Sequence, residues 1–165
     1  MFAVGKTFGS FDELEQKIQL HERKSYVSLR RSESRTIDAA IKRKRIKNDR
    51  VKNDSLKYYE IRYTCVHEGE NFKSRGKGER SSNTFQMGCP FFIALRVTKD
   101  GNFLSVTSNE LTHANHERNQ ETFRYYPKVR KLNSEEREYA EGMITTGVNK
   151  INYSNNYQAR RGKPS

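Results

Sequence analysis

The chain has 165 residues, which is enough for one domain of ordinary size with flanking segments and excludes a large multi-domain enzyme. Hydrophobic residues make up only 33%, so the core must be small, yet nine Tyr and nine Phe supply apolar area that a fully disordered chain lacks. Lys and Arg number 32 against 20 Asp and Glu, and the resulting net charge of +12 predicts a polyanionic partner, first of all nucleic acid.

The first predicted element is an N-terminal helix. Ser10 followed by Glu13 is a capping box, and apolar residues then recur at helical spacing, so the helix is expected from residue 11 to about residue 22. Alternating residues 26–31 predict a half-buried strand with one apolar and one basic face. The densely basic residues 41–52 resist compaction and are expected to form a mobile loop between strands.

The next elements are predicted to be three strands and a second helix. Residues 56–66 alternate as a strand does, and residues 91–97 and 104–106 alternate on either side of Asp100-Gly101, a dipeptide typical of a tight hairpin turn. A polar loop with a basic centre lies between the strand predicted at 56–66 and this hairpin. After the hairpin, Asn133 with Glu136 and the apolar spacing that follows predict an amphipathic helix.

Two cysteines and two histidines fall at the ends of these strands. Cys65 closes one strand, Cys89 opens the hairpin, and His113 and His116 follow its second strand. Consecutive strands of an antiparallel sheet return to the same edge, so the four side chains are expected to meet there. Two thiolates and two imidazoles suit tetrahedral Zn²⁺, and a shell filled by four protein ligands predicts a structural site with no catalytic position.

Two alternatives to this set of four ligands stay open, one that concerns the cysteines and one that concerns His67. The spacing Cys-x23-Cys-x23-His-x2-His differs from short-loop zinc fingers, and cysteines so far apart are often ordinary buried residues. His67 is a competing ligand two residues after Cys65, or else a solvated loop histidine. His21 is expected on the face of the first helix without a metal role. A core this small favours a metal, because metal binding can supply folding energy.

The order of these motifs resembles the zinc domain of the far-red-impaired-response type, which is grouped with the WRKY and glial-cells-missing DNA-binding domains and with Mutator-like transposases. The similarity is strongest to the N-terminal domain of SWIM-type zinc finger proteins of animals and covers roughly residues 7–118, more weakly to about 150. The motifs are the opening helix at 8–18, Tyr63-Thr64-Cys65, Gly88-Cys89-Pro90, Asp100-Gly101, the stretch 112–117, and Tyr126-Pro127 to Lys131-Leu132.

The resemblance implies an α+β fold. Its small twisted antiparallel sheet would have four or five strands with zinc at one end, an N-terminal helix and a C-terminal helix, and would contact DNA through a strand edge in the major groove. The family usually ends in His-x-His, whereas two residues separate His113 from His116 here, and the WRKY heptad is absent. The expected division is a zinc-stabilised domain at 1–118, a linker at 119–132, an amphipathic helix at 133–151 and a disordered basic tail at 152–165.

The DNA contacts are predicted on one strand and two basic loops. Arg30 and Arg31 are expected to read bases or backbone, with Lys24 and Arg35 beside them, and the loops would clamp phosphates. The alternative is that such charges only keep a strand edge solvated and monomeric. The complete predicted set is Lys24, Arg30, Arg31, Arg35, Lys42, Arg43, Lys44, Arg45, Lys47, Lys73, Arg75, Lys77 and Arg80.

The expected function is that of a zinc-dependent DNA-binding module in transcription regulation, either sequence-specific or transposon-derived, with double-stranded DNA as partner. The run Lys42–Arg45 also suits nuclear import, so a nuclear location is expected. The alternative is a non-catalytic protein-interaction or RNA-binding domain, with Tyr125 and Tyr126 stacking on bases unless they are buried. The chain carries no glycine-rich phosphate loop or nucleophile elbow and no 20-residue apolar run, so we expect no enzyme, small-molecule substrate or membrane partner.

Overall fold

The computed structural model of the protein describes residues 2–70, 84–131 and 134–145. These residues form an α+β fold with a five-stranded antiparallel sheet in the order β1-β5-β4-β3-β2, which confirms the predicted fold class. The strands are Thr7–Phe8 (β1), Leu29–Thr36 (β2), Tyr58–Cys65 (β3), Phe92–Val97 (β4) and Leu104–Glu110 (β5). The helices are Phe11–Ser25 (α1), Ile37–Lys42 (α2), Gln120–Arg124 (α3), Pro127–Arg130 (α4) and Ser134–Thr145 (α5).

Helix α1 begins at the predicted capping box. The Ser10 hydroxyl accepts a hydrogen bond from the Glu13 amide at 3.0 Å, and the Glu13 carboxylate accepts one from the Gly9 amide at 2.9 Å. The first contact satisfies an amide of the first helical turn that has no partner within the helix, and the second reaches back to the residue before the cap, one position earlier than in a standard capping box. Leu14 and Ile18, one turn apart, are fully buried in the core cluster, so burial of this apolar face holds the helix on the sheet.

The strand predicted at residues 26–31 begins later than expected. Tyr26 caps α1 in the left-handed conformation, with φ 53°, and β2 starts only at Leu29. The buried Glu22 carboxylate accepts a hydrogen bond from the Leu29 amide at 2.7 Å. The last turn of α1 therefore fixes where β2 begins, a tertiary contact that alternation alone does not reveal.

The basic segment 41–52 is more ordered than the sequence predicts. Its start lies in α2, and Asn48–Arg50 forms a 3₁₀ turn. The Lys52 amide donates to the Gly101 carbonyl at 3.0 Å, and the Arg50 guanidinium donates to the Lys99 carbonyl. The segment is therefore not a plain loop, and hydrogen bonds with the β4–β5 turn hold its end, while its mobility stays a prediction.

The predicted hairpin is confirmed as β4 and β5, which pair in antiparallel register across the Asp100-Gly101 turn. On the core face, alternate residues of the central strands such as Ile61, Ile93 and Leu95 are buried. The sequence did not predict strand β1. The strand has only two residues, which pair with Leu104 and Ser105, and two residues are too few to show an alternating pattern.

The chain divides into two compact units, Met1–Tyr126 and Pro127–Ser165, and the sheet belongs to the first. The segment expected to be a linker, 119–132, contains α3 and α4, and the predicted C-terminal helix is present as α5. The tail 152–165 lies outside the described residues. In the described part of the chain, no helix has the length and apolar character needed to cross a membrane.

Candidate metal centre

The structure brings the four predicted ligands together at one end of the sheet. Cys65 is the last residue of β3, Cys89 lies just before β4, and His113 and His116 follow β5. One ligand atom from each residue lies within 4.8 Å of all the others. Both cysteines are buried free thiols and both histidines are half-buried, so the cluster is largely shielded from water.

A backbone clasp brings the two cysteines together across the long loop between them. The His67 carbonyl accepts hydrogen bonds from the amides of Met87 and Cys89, both at 3.0 Å, and the Gly69 carbonyl accepts one from Gly88 at 2.8 Å. Gly88 has a φ of +74°, a conformation that glycine adopts without strain. The clasp joins the two chain segments next to the cysteines, so backbone hydrogen bonds hold Cys65 and Cys89 close to each other.

A tight turn brings the two histidines to the same point. Asn115 adopts the left-handed conformation with φ 66°, which asparagine tolerates better than most residues, and its side-chain amide donates to the Gly88 carbonyl at 3.2 Å. The turn bends the chain back on itself, so that both His113 and His116 face the cysteines. The two-residue spacer is thus accommodated by one left-handed residue.

The distances fit a tetrahedral metal ion. Cys65 Sγ lies 3.5 Å from His116 Nε2, and Cys89 Sγ lies 3.5 Å from His113 Nδ1. A tetrahedron with zinc–sulfur bonds of about 2.3 Å and zinc–nitrogen bonds of about 2.0 to 2.1 Å has a sulfur–nitrogen edge of about 3.5 Å. The donor set and both sulfur–nitrogen spacings are therefore compatible with zinc.

The protonation of the imidazoles also suits a metal. His116 Nδ1 lies 3.1 Å from the Glu117 carbonyl, which only accepts, so Nδ1 carries the proton and the lone pair of Nε2 faces Cys65. Burial, followed by the neighbouring His116, lowers the pKa of His113 to about 4, so this ring is neutral at pH 7. Burial is also the main reason that the pKa of the Cys65 thiol is raised to about 12, so metal binding must displace its proton.

An aromatic layer supports one side of the cluster. The His113 ring stacks on Phe91 with centroids 4.1 Å apart, and His21 stacks on Phe91 at 5.4 Å. His21 lies outside the four-ligand set, as predicted, but its ring packs into this layer rather than only lining a helix face. Sequence reasoning missed this packing because it joins α1 to a loop that follows β5.

His67 is not the solvated loop histidine that the sequence suggested. Only 7% of it is exposed, its Nδ1 donates to the Phe85 carbonyl at 2.6 Å, and its Nε2 lies 2.8 Å from the Tyr126 hydroxyl. Its ring stacks on His116 with centroids 4.2 Å apart. Because both ring nitrogens are engaged elsewhere, His67 lies beside the cluster as a neighbour of a ligand, not as a ligand.

Comparison with known families agrees with the resemblance noted in the sequence. The family model for zinc finger SWIM domain-containing protein 3, N-terminal, matches residues 2–116, which include all four cluster residues. The chain belongs to this family. No curated protein and no solved structure gives a significant match. The zinc-finger family and the Cys₂His₂ cluster together support a metal-binding domain.

The predicted DNA-contacting residues of this SWIM-family domain occupy two different environments. Arg30 pairs with Glu68 at 3.5 Å, Arg31 donates to the Tyr58 hydroxyl at 2.7 Å, and Arg35 pairs with Glu60. The remaining described members are exposed, at the end of α1 and in and after α2: Lys24, Lys42, Arg43, Lys44, Arg45 and Lys47. Four further members, Lys73, Arg75, Lys77 and Arg80, lie outside the described residues.

Two further arginines of this SWIM-family domain lie on the strands that follow β2 in the sheet and were not among the predicted DNA contacts. Arg96 of β4 occupies the parity opposite to the buried residues of its strand, whereas Arg62 of β3 shares its parity with the buried Thr64. The Arg62 guanidinium lies 4.1 Å from the centre of the Phe92 ring, and Arg96 pairs with Glu60 at 3.2 Å. Each arginine sits between two core residues in sequence, which is the signal that could have identified them.

Proposed function

We propose that the chain is a zinc-stabilised DNA-binding module that acts in transcription regulation in the nucleus. The observation that carries the proposal is a Cys₂His₂ cluster on the same small sheet domain as a dense group of exposed cations. We also infer membership of the wider group that contains the far-red-impaired-response, WRKY and glial-cells-missing domains. In this proposal the protein is not an enzyme, because four protein ligands leave the metal no position for substrate.

The metal would be held by Cys65 Sγ, Cys89 Sγ, His113 Nδ1 and His116 Nε2, the atoms that lie closest together in the cluster. A bound zinc ion supplies folding energy by joining the ends of strands that are distant in sequence. This chain's own residues orient the donors: the clasp at His67 positions the cysteines, and the Asn115 turn positions the histidines.

The surface charge supports a nucleic-acid partner. Five cations follow one another closely at 42–47, all five are exposed, and none forms an ion pair with another described residue. Free cations beside an anchored segment are suited to phosphate contacts, which give affinity and register but do not read sequence. Arg30 and Arg31, on the edge strand β2, are the proposed readers of base edges or backbone.

The test is the salt dependence of binding to duplex DNA by the zinc-loaded chain. If about six phosphates are neutralised, the logarithm of the binding constant should fall against the logarithm of salt concentration with a slope near −5. A flat response would contradict the electrostatic basis of the proposal. Selection from random duplexes would then show whether binding is sequence-specific or general.

A protein-interaction or RNA-binding role is the second candidate. Tyr125 is 72% exposed and could stack on a base or a partner, whereas Tyr126 is only 4% exposed, as the alternative of burial anticipated. Titration of duplex DNA, single-stranded DNA and RNA at matched salt separates the candidates. Stronger binding to single strands or RNA than to duplex would favour the second.

A further inference from the structure

We propose that His67 and Tyr126 are positioning residues for the metal-binding ring of His116, so that residues beyond the family match complete the metal centre. The proposal rests on the metal binding proposed above. The family match ends at residue 116, and Tyr126 lies ten residues further along the chain. The compact unit that contains the sheet includes residues 117–126, with Tyr126 as its last residue.

The first step is the contact between His67 and His116. Their rings stack with centroids 4.2 Å apart and an interplanar angle of 19°. His116 Nδ1 donates to the Glu117 carbonyl, a neighbour in the chain that moves with it. The face of the ring is therefore supported by His67, and the direction of Nε2 toward Cys65 depends on the position of His67.

The second step is that His67 itself is fixed by two hydrogen bonds. Phe85 offers a carbonyl, which only accepts, so His67 Nδ1 carries the proton. The opposite nitrogen, Nε2, then accepts from the Tyr126 hydroxyl at 2.8 Å. Removal of that hydroxyl leaves the buried Nε2 without this hydrogen bond, and the ring, which keeps its bond to Phe85, is held less firmly against His116.

The third step is that Tyr126 is held in place by its own surroundings. Its side chain is 4% exposed, and its ring packs against Phe85 and Phe123 with centroids 6.0 and 6.1 Å away. Helix α3, which precedes it, is capped by Asn119, whose side-chain oxygen accepts from the Thr122 amide at 2.8 Å. A chain of contacts thus leads from Phe123 of α3 through the rings of Tyr126 and His67 to His116.

A cavity lies beside His67 and Tyr126, and it gives their contact with His116 a second consequence. Apolar and aromatic residues line a space of about 340 Å³ next to His116, among them His67, Phe85, Met87, Tyr125 and Tyr126. Phe85 and Met87 are each 49% exposed, so the cavity lies at the surface. His116 itself lines this cavity together with His67 and Tyr126, so a chelator can approach the ring from this side. We expect metal release to be slower the more firmly His67 and Tyr126 hold the His116 ring.

The experiment compares variants of the 165-residue chain loaded with Zn²⁺ or with Co²⁺, whose visible absorption bands report coordination geometry. Tyr126→Phe removes one oxygen and keeps the ring, and His67→Phe keeps a stacking ring but loses both hydrogen bonds. We expect zinc transfer to excess chelator to be faster by about tenfold in Tyr126→Phe and by about 10- to 100-fold in His67→Phe, with shifted cobalt bands. The matched control Tyr125→Phe, at the exposed neighbouring tyrosine, should behave as wild type.

Three results would overturn the inference. Wild-type release rate and cobalt spectrum in Tyr126→Phe would show that the hydroxyl does not act on His116. Faster release with an unchanged spectrum and a proportionate loss of folding stability would show that Tyr126 only stabilises the fold. If the wild-type chain takes up neither metal, the proposed metal function fails as well. Should His67→Phe not fold, Tyr126→Phe decides the question, because it changes a single atom.

Discussion

At Gly101, in the turn between β4 and β5, the backbone leaves no room for a side chain. A Cβ atom there would lie 2.3 Å from the Arg50 carbonyl oxygen, and φ is +80°. The Gly101 carbonyl also accepts from the Lys52 amide at 3.0 Å. This single residue therefore determines whether the basic segment can dock on the hairpin turn.

We expect Gly101→Ala to lower the free energy of unfolding by about 2 to 4 kcal/mol. About 1 to 2 kcal/mol comes from the positive φ and the remainder from the collision with Arg50. Urea unfolding of the metal-loaded chain measures the change. The matched control is Gly5→Ala, because Gly5 has φ +86° but nothing within 4 Å of a Cβ atom. An equal loss in both variants would contradict the collision and leave only backbone strain.

The four candidate ligands could be identified from the sequence, but the residues that orient them could not. Thiols and imidazoles at strand ends can be recognised as possible metal ligands from the sequence alone, because the residue type determines the ligand chemistry. His67 acquires its role from Phe85 and from Tyr126, which is 59 residues away, so only the folded chain shows that it is buried and hydrogen-bonded. Arg35 likewise gives no sign in the sequence of its pairing with Glu60.

Among the elements, those with a local signal were predicted well. Helix α1 has a cap and a helical period, and the hairpin has alternation with a glycine turn, so both were found, although α1 continues to Ser25 and β5 to Glu110, beyond their predicted ends. The bounds that failed depend on tertiary contacts: β2 starts late because Tyr26 is left-handed and Glu22 holds Leu29. Strand β1 exists only through its pairing with β5, a contact across about a hundred residues.

The elements also differ in how freely their cations can reach DNA. Arg43, Lys44, Arg45 and Lys47 follow α2 and are exposed, whereas Arg35 in β2 is engaged with Glu60. We expect replacement of those four by Gln to change the salt slope from about −5 toward about −2, because each lost phosphate contact removes roughly one unit. Fluorescence anisotropy with labelled duplex DNA at several salt concentrations measures the slope.

The control for this change is Arg35→Gln. Removal of its partly buried ion pair should cost about 1 kcal/mol of stability and leave the salt slope unchanged. If Arg35→Gln reduces the slope as much as the fourfold variant does, the sheet edge and not the segment after α2 carries the phosphate contacts.

For the molecule as a whole, a small core together with the proposed metal site would explain how so polar a chain folds. Hydrophobic residues make up 33% of the sequence, and most of those that are buried in the described part of the chain belong to one cluster, which includes residues of α1 and of the sheet. The ends of β3, β4 and β5 meet at Cys65, Cys89, His113 and His116. Without a metal, this end of the sheet contains two buried free thiols beside two half-buried imidazoles, an arrangement in which the four donor atoms face one another.

Metal removal is therefore expected to unfold the domain. Structural zinc sites contribute about 10 to 16 kcal/mol of apparent binding free energy, which matches or exceeds the roughly 5 to 15 kcal/mol of net stability typical of a domain. Native mass spectrometry should find one zinc ion per chain, and Cys89→Ala should abolish its uptake. Circular dichroism should show loss of the sheet when a strong chelator is added. As a control, His21→Phe keeps an aromatic ring outside the ligand set and should still bind one zinc ion. A chain that keeps its sheet and its thermal transition after complete metal removal would show that the cluster is a packed core, not a metal centre.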